Sequence, residues 1–345
     1  MKRIILTGGG TAGHVTPNIA LIPKLRELGY DIQYIGSYNG IEKELIEPFG
    51  IPYHGISSGK LRRYFSLQNF TDPFRVIKGL KPDVIFSKGG FVSVPVVLAG
   101  KRCKVPVIIH ESDMTPGLAN KLAIPSAVKV CCNFPETLDA LPEGKAVLTG
   151  SPIRQELLTG DKDAARKMCG FTDEKPVILV IGGSLGAVAV NEAVRAALPE
   201  LLKQFQIIHL CGKGKVDDSL KEIKGYCQFE YIKNELRDLF ALADVVISRA
   251  GANAICELLA LRKPNLLIPL SARASRGDQI LNAHSFERQG FSLVIEEEQL
   301  TNATLLDAVH NLYENREQFI NAMHNSGQQD PIATIIGLIE EAATK

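Results

Sequence analysis

The chain has 345 residues, 45% of them apolar and 22% charged, with a formal net charge of +1. This is ordinary globular composition at a length that suits two domains rather than one core. The near-neutral balance excludes a globally basic nucleic-acid binder. Seven cysteines, none paired as C-x-x-C, read as reduced and mostly buried thiols rather than a disulfide framework. The N-terminal run from Lys2 to Leu6 is too short for a signal peptide, and no stretch approaches about 18 uninterrupted apolar residues, so neither a leader nor a membrane span is expected.

From the N-terminus onward, short β-rich runs alternate with amphipathic stretches. Strands are expected at residues 3–7, 32–35, 52–56, 84–86, 107–109, 128–132 and 146–148, then at 177–181, 206–210, 227–231, 245–247, 265–268 and 293–295. Helical patterns between them include 15–28, 185–205 and 252–261. The alternation predicts βαβ units and parallel sheets, an α/β protein. Pro and Gly interrupt the pattern at Gly150-Ser151-Pro152-Ile153-Arg154 and again at Gln328-Gln329-Asp330-Pro331. The expected domains are therefore residues 1–155, joined by a C-terminal helix within 332–345, and residues 156–331.

Each half opens as apolar strand, glycine-rich turn, helix. The first turn, Gly8-Gly9-Gly10-Thr11-Ala12-Gly13-His14, satisfies the G-x-G-x-x-G dinucleotide fingerprint. That fingerprint also wants an acidic residue at the end of the second strand, and Tyr34-Ile35-Gly36-Ser37 offers none, so no nicotinamide or flavin is expected. What remains is a set of N–H groups at a helix N-terminus, suited to oxyanions or to close approach by a sugar. His14, in the first helical turn, would be kept neutral by the helix dipole and able to accept a proton.

The second turn, Gly182-Gly183-Ser184-Leu185-Gly186-Ala187, also matches the G-x-S-x-G nucleophile elbow. A serine hydrolase built on Ser184 would need Asp244 with His284 or His310, and no H-G-G-G oxyanion motif precedes it. The other reading is a diphosphate cradle at a helix N-terminus. Further on, Ser248-Arg249-Ala250-Gly251-Ala252-Asn253-Ala254-Ile255-Cys256-Glu257 reads as strand, polar turn, helix. Amides of Gly251, Ala252, Asn253 and Ala254 could meet phosphate oxygens, and Glu257 could accept both hydroxyls of a ribose. Ser275-Arg276-Gly277-Asp278-Gln279 is a polar loop suited to sugar hydroxyls.

In this order, the first glycine turn, His110-Glu111-Ser112-Asp113, the second glycine turn, the Ser248–Ala252 segment with Glu257, and Asp278-Gln279 resemble the MurG-type N-acetylglucosaminyltransferases over nearly the whole chain. The resemblance implies a GT-B fold, with two Rossmann domains facing across a cleft. It implies inverting transfer of N-acetylglucosamine from UDP-N-acetylglucosamine to undecaprenyl-pyrophosphoryl-N-acetylmuramyl-pentapeptide (lipid I), forming lipid II for peptidoglycan. By that resemblance Glu257 holds the ribose, Ile232 lies near the uracil, Gln279 meets the sugar, and Arg154 and Ser184 meet the diphosphate. It adds Thr11, Ala12, Gly13 and Asp113 to the nucleotide-sugar contacts and puts Gly10, Phe91 and Asn120 on the acceptor side. The family often has His-Glu-Gln-Asn at 110–113, tyrosine at Phe91 and paired glutamines at Asp278-Gln279. The neighbouring readings are another UDP-sugar enzyme, a glycolipid glycosyltransferase or an epimerase, and a non-catalytic nucleotide-binding module.

His14 is the first choice of general base and Glu111 the second. Helix N-termini and Arg154 would stabilise the leaving diphosphate. The D-x-D match at Asp161-Lys162-Asp163 reads as a helix cap, so no metal and no cofactor are expected. Finally, Lys60, Arg62 and Arg63, interleaved with Tyr64, Phe65 and Phe70 and continuing through Phe74-Arg75-Val76-Ile77-Lys78, fit a peripheral contact with anionic lipid at the cytoplasmic face of the membrane.

Overall fold

The computed structural model describes residues 1–58, 68–172, 175–183, 186–232, 234–327 and 330–344, without the side chains of 68–70. The chain divides into two compact units, residues 1–154 with 328–345, and residues 155–327.

In the first unit β1 (Arg3–Thr7), β2 (Asp31–Ser37), β3 (Tyr53–Ile56), β4 (Val84–Ser87), β5 (Val107–Glu111), β6 (Lys129–Cys132) and β7 (Ala146–Leu148) form one sheet in the order β3-β2-β1-β4-β5-β6-β7. Every pairing is parallel. Helices α1 (Thr16–Glu27), α2 (Ile41–Ile46), α3 (Gln68–Leu80), α4 (Ser93–Arg102), α5 (Leu118–Ala123) and α6 (Pro135–Leu138) connect these strands. The strands are apolar runs because both faces are covered. Alternate residues serve opposite sides: Ile4 and Leu6 pack with Leu21 and Leu25, whereas Ile5 packs with Val96 and Val97.

The second unit repeats the plan. Its strands β8 (Val177–Ile181), β9 (Gln206–Leu210), β10 (Tyr226–Phe229), β11 (Val245–Ser248), β12 (Asn265–Leu267) and β13 (Ser292–Val294) form a parallel sheet in the order β10-β9-β8-β11-β12-β13. Around it run α7 (Lys162–Cys169), α8 (Val188–Gln204), α9 (Leu236–Leu242), α10 (Ala252–Ala260), α11 (Asp278–Arg288), α12 (Asn302–Glu314) and α13 (Arg316–His324). Asp161 caps α7 by accepting from the amides of Asp163 and Ala164.

The last helix, α14 (Pro331–Ala342), belongs to the first unit. Asp330 caps it, Pro331 occupies its first turn, and Ile335, Ile336 and Ile339 enter the core beside Leu21, Ile22 and Phe86. Both sheets are doubly wound, and in each the strand order reverses beside its first strand. Ligands of such sheets bind at the carboxyl ends of the strands at that point. There β1 and β4 lead into the first glycine turn and Lys88-Gly89-Gly90, while β8 and β11 lead into the second glycine turn and Arg249-Ala250-Gly251.

Candidate active site

In the first unit the two turns at the switch point interlock. A Cβ on Gly90, whose φ is +81°, would fall 2.2 Å from the Gly9 carbonyl oxygen and 3.2 Å from His14 Nδ1. Only glycine therefore allows this approach. Across from it, the edge of the Phe91 ring would meet a Cβ on Gly10 at 2.6 Å. His14 is half-buried, with Nδ1 2.9 Å from Thr11 Oγ1. Burial, followed by the nearby Lys88 ammonium, pushes its pKa down to about 4, so the imidazole is neutral at neutral pH. Thr11 and Ala12 are exposed and Gly13 is half-buried on the same turn.

Strand β5 runs two residues beyond the expected 107–109, so His110 and Glu111 are strand residues and both are buried. His110 Nε2 donates to the Gly150 carbonyl at 2.9 Å, which leaves Nδ1 to accept from Lys88 Nζ at 2.9 Å. The same ammonium donates to Ser112 Oγ. Burial and Lys88 hold His110 well below the ordinary imidazole range.

Burial raises the Glu111 carboxyl, and its oxygens accept from Asp113 N at 3.0 Å, Gly117 N at 3.1 Å and Asn120 Nδ2 at 2.8 Å. Glu111 thus ties the loop after β5 to α5. Asp113 is half-buried on that loop. Asn120 also reaches the His110 carbonyl, and its buried Oδ1 has no hydrogen-bond partner among the described residues. Arg154, half-buried, ends the first of the two segments that make up the first unit.

In the second unit the cradle is differently supported. Gly186 (φ +69°) lies so close to β9 that a Cβ would sit 2.0 Å from the Cys211 carbonyl oxygen. Ser184, like Lys60, Arg62 and Arg63, lies outside the described residues. Below the turn, Asn191 Nδ2 donates to the Cys211 carbonyl at 2.8 Å, while its Oδ1 accepts from His209 Nε2 at 2.9 Å. The Tyr226 hydroxyl holds the other imidazole nitrogen at 2.8 Å. Sequence reading missed this buried network because its members stand singly on three elements.

Gly251 is the N-cap of α10 and gives no side-chain cap, so the backbone N–H groups of the first turn, at Ala252, Asn253 and Ala254, are not met by a capping side chain of that residue. Glu257 is half-buried farther along the same helix, and Ile232 is half-buried after β10. Arg249 pairs with Glu297 and donates to the Ile268 and Pro269 carbonyls, fixing the loop that leads to α11. There Gln279 Oε1 accepts from Leu270 N at 3.0 Å, which orients its amide group.

The residues that a hydrolase would need are engaged elsewhere. Asp244 accepts from Val177 N at 2.7 Å, His284 lies between Glu287 and Glu296 at 2.9 and 3.1 Å, and His310 bonds the Leu306 carbonyl at 2.9 Å.

The sequence matches the glycosyltransferase family 28 N-terminal domain over residues 4–132 and the C-terminal domain of that family over residues 177–336. The chain belongs to glycosyltransferase family 28. Within that family it is 68% identical, over the full length of both chains, to a protein of Lachnoclostridium phytofermentans described as UDP-N-acetylglucosamine--N-acetylmuramyl-(pentapeptide) pyrophosphoryl-undecaprenol N-acetylglucosamine transferase. Its fold matches the crystal structure of Acinetobacter baumannii MurG with a TM-score of 0.80 at 26% identity, covering 99% of this chain and 100% of that one. A Listeria monocytogenes structure titled as a putative UDP-N-acetylglucosamine 2-epimerase has a TM-score of 0.72 at 15% identity, covering 99% and 96%, and carries the fold alone. The pair of parallel-sheet Rossmann-like units is thus the GT-B architecture of family 28 and its structural neighbours.

One expectation about the family 28 N-terminal domain needs correction. The end of β2 is not without a carboxylate. Glu42 of α2 folds back to it, fully buried, and accepts from Ser37 N at 2.8 Å and Gly10 N at 3.3 Å. The local sequence of β2 could not reveal this, because the carboxylate arrives from the next helix.

Proposed function

We propose that this chain is the hexosyltransferase that moves N-acetylglucosamine from UDP-N-acetylglucosamine to lipid I, giving lipid II with inversion at the anomeric carbon. Full-length identity of 68% to a transferase so described carries the reading, because substrate identity is not encoded in turn geometry alone. The second unit holds the donor: the uncapped N-terminus of α10 and the turn after β8 face the diphosphate, and Glu257 accepts the ribose hydroxyls. Ile232 lies against the uracil, Gln279 meets the sugar, and Arg154 with Ser184 adds donors to the diphosphate. The first unit serves the acceptor, with Gly10, Phe91 and Asn120 around it, while its Thr11, Ala12, Gly13 and Asp113 reach the nucleotide sugar.

His14 is the general base of this reading. With Nδ1 directed at Thr11, Nε2 is the nitrogen offered to the acceptor hydroxyl. As that oxygen bonds to the anomeric carbon, its proton passes to His14, and the bond to UDP breaks with its electron pair on the diphosphate. Glu111 ranks below it because three donors already occupy its carboxylate. The deciding measurement is release of UDP from UDP-N-acetylglucosamine by the purified chain. Release that depends on a lipid I analogue is expected, and release that ignores it would overturn the assignment.

A peripheral membrane position goes with this substrate. Among the described residues no helix is long and apolar enough to cross a membrane. Between α3 and α4 lies a cavity of about 860 Å³ lined by Phe74, Leu98 and Ala99 together with Arg75, Lys78 and Arg102. Apolar surface edged by cations suits an anionic leaflet, here that of the cytoplasmic face, with each cation contributing about 1 kcal/mol. Glutamate at Arg75, Lys78 and Arg102 should abolish sedimentation with phosphatidylglycerol vesicles while turnover of a water-soluble acceptor persists. Unchanged sedimentation would remove the membrane contact from this face.

A further inference from the structure

Glu42 is a buried carboxylate at the one loop that the proposed chemistry needs held still. It is fully buried on α2, with the backbone of three glycines packed against it. A Cβ on Gly9 would lie 2.6 Å from the carboxyl carbon, one on Gly40 would lie 2.2 Å from Oε1, and one on Gly36 would lie 2.7 Å from Cγ. Three glycines on three segments therefore leave the space that this side chain fills. Its oxygens accept from Gly10 N at 3.3 Å and Ser37 N at 2.8 Å, and also from Ser37 Oγ.

The Gly10 amide belongs to the turn that a helix N-terminus would ordinarily offer to a ligand anion. In this unit an internal anion has taken it. The turn is thereby tied to β2 and α2 four residues before His14, and Thr11, which bonds the His14 ring, is the next residue after the tie. Displacement of Gly10 would carry Thr11, and with it the imidazole, away from its orientation. A misplacement of about 1 Å at such a group costs on the order of a hundredfold in rate.

We propose that Glu42 is a positioning residue for sugar transfer, acting through the hydrogen bonds that hold the Gly8-to-His14 turn in the shape that presents the His14 ring. The inference rests on the reading of His14 as the base. Gly10 N is bonded to Glu42 itself, and the ribose and sugar contacts proposed for Glu257 and Gln279 lie in the other unit, so the effect falls mainly on turnover rather than on nucleotide-sugar binding.

Steady-state kinetics of the full chain with UDP-N-acetylglucosamine and a lipid I analogue tests it through Glu42→Ala, Glu42→Gln and Glu42→Asp. Glu42→Ala should lower kcat at least tenfold with the KM for UDP-N-acetylglucosamine within twofold. Glu42→Gln, whose amide oxygen still accepts at the same reach, should recover most of that loss. Glu42→Asp keeps the charge but withdraws it by one methylene, so it should be slower than Glu42→Gln. Wild-type kcat in Glu42→Ala, or a KM that rises in step with the loss, would overturn the proposal. If Glu42→Ala does not fold, the order of the other two decides, and Glu42→Asp matching or exceeding Glu42→Gln overturns it. Wild-type turnover in His14→Ala would fell the base reading by itself, whereas an inactive His14→Ala beside a fully active Glu42→Ala would fell only this inference.

Discussion

The turn after β1 and the turn after β8 leave their sheets at the same topological position, yet the groups behind them carry opposite charge. Behind the first, the Glu42 carboxylate accepts from Gly10 N. Behind the second, Lys215 Nζ reaches the Gly186 carbonyl at 3.5 Å, and Arg195 donates to the Lys215 carbonyl at 2.5 Å and to Gln228 Oε1 at 3.1 Å. Among the described residues no carboxylate bonds the second turn. Both turns start helices and both favour anions. One is bonded from within by a carboxylate and presents a neutral imidazole; the other is backed by cations, as the proposed diphosphate site requires. Duplication of a Rossmann plan thus yields two different sites through the residues beneath the glycines rather than through the glycines themselves.

The strongest test separates the two turns kinetically. His14→Ala should lower kcat by about 10²- to 10⁴-fold, the usual worth of a positioned general base, and leave the KM for UDP-N-acetylglucosamine nearly unchanged. A matching rise in that KM would mean that His14 itself binds the nucleotide sugar rather than acting as the base. Next comes a structural contrast. Alanine at either position must adopt a left-handed conformation, with φ +69° at Gly186 and +88° at Gly10, but at Gly186 it also clashes with the Cys211 carbonyl, which is backbone, whereas at Gly10 it meets the edge of the Phe91 ring, which can rotate away. Gly186→Ala should cost about 2–5 kcal/mol and Gly10→Ala about 1–2, read as shifts in Tm. Equal shifts would contradict the rigid support described for the second turn. Smaller still, Glu257→Ala should raise the KM for the donor roughly 10- to 100-fold with kcat largely kept, since charged hydrogen bonds contribute about 1.5–3 kcal/mol. An unchanged KM would remove Glu257 from the ribose.

How much of this could be read beforehand differs between the turns and what supports them. The strand-turn-helix starts were legible because glycine runs and apolar periodicity are local signals, and every expected strand is present within a few residues. The places that misled are tertiary. Glu42 looked like one acid among several in Ile41-Glu42-Lys43-Glu44, and only the fold shows that it faces Gly9, Gly36 and Gly40 rather than water. Glu111, the second choice of base, is buried by the extension of β5 and accepts from three donors on the loop and helix that follow, which its sequence neighbours did not show. Arg249 carried no assigned role in the sequence, and only the fold shows it bound to Glu297 and two carbonyls. Charge on a turn is a property of neighbours in space, which single-sequence patterns do not report.

One property joins the two units in spite of their opposite backing: each keeps a histidine neutral. Burial and Lys88 bring His14 to about 4, and burial and Arg195 bring His209 to about 3. The unfolded chain binds protons at these positions near the ordinary value of 6.5, so between about 6.5 and 4 the unfolded state carries more protons than the folded one. Their contribution to stability is therefore complete above 6.5 and is lost as the pH falls, with a slope of at most about 1.4 kcal/mol per pH unit for each histidine. His284 runs the other way. Held by Glu287 and Glu296, it is raised above 6.5, so it adds stability at acid pH that is lost as the pH rises through its folded value. Thermal unfolding followed from pH 7 to pH 4.5 should show Tm falling. In His209→Gln the fall should be shallower from a lower starting Tm, because that variant forfeits the bonds to Asn191 and Tyr226 but also has nothing left to protonate. A variant with the same acid slope as the parent would place the acid sensitivity on the first unit alone, in the histidines beside Lys88.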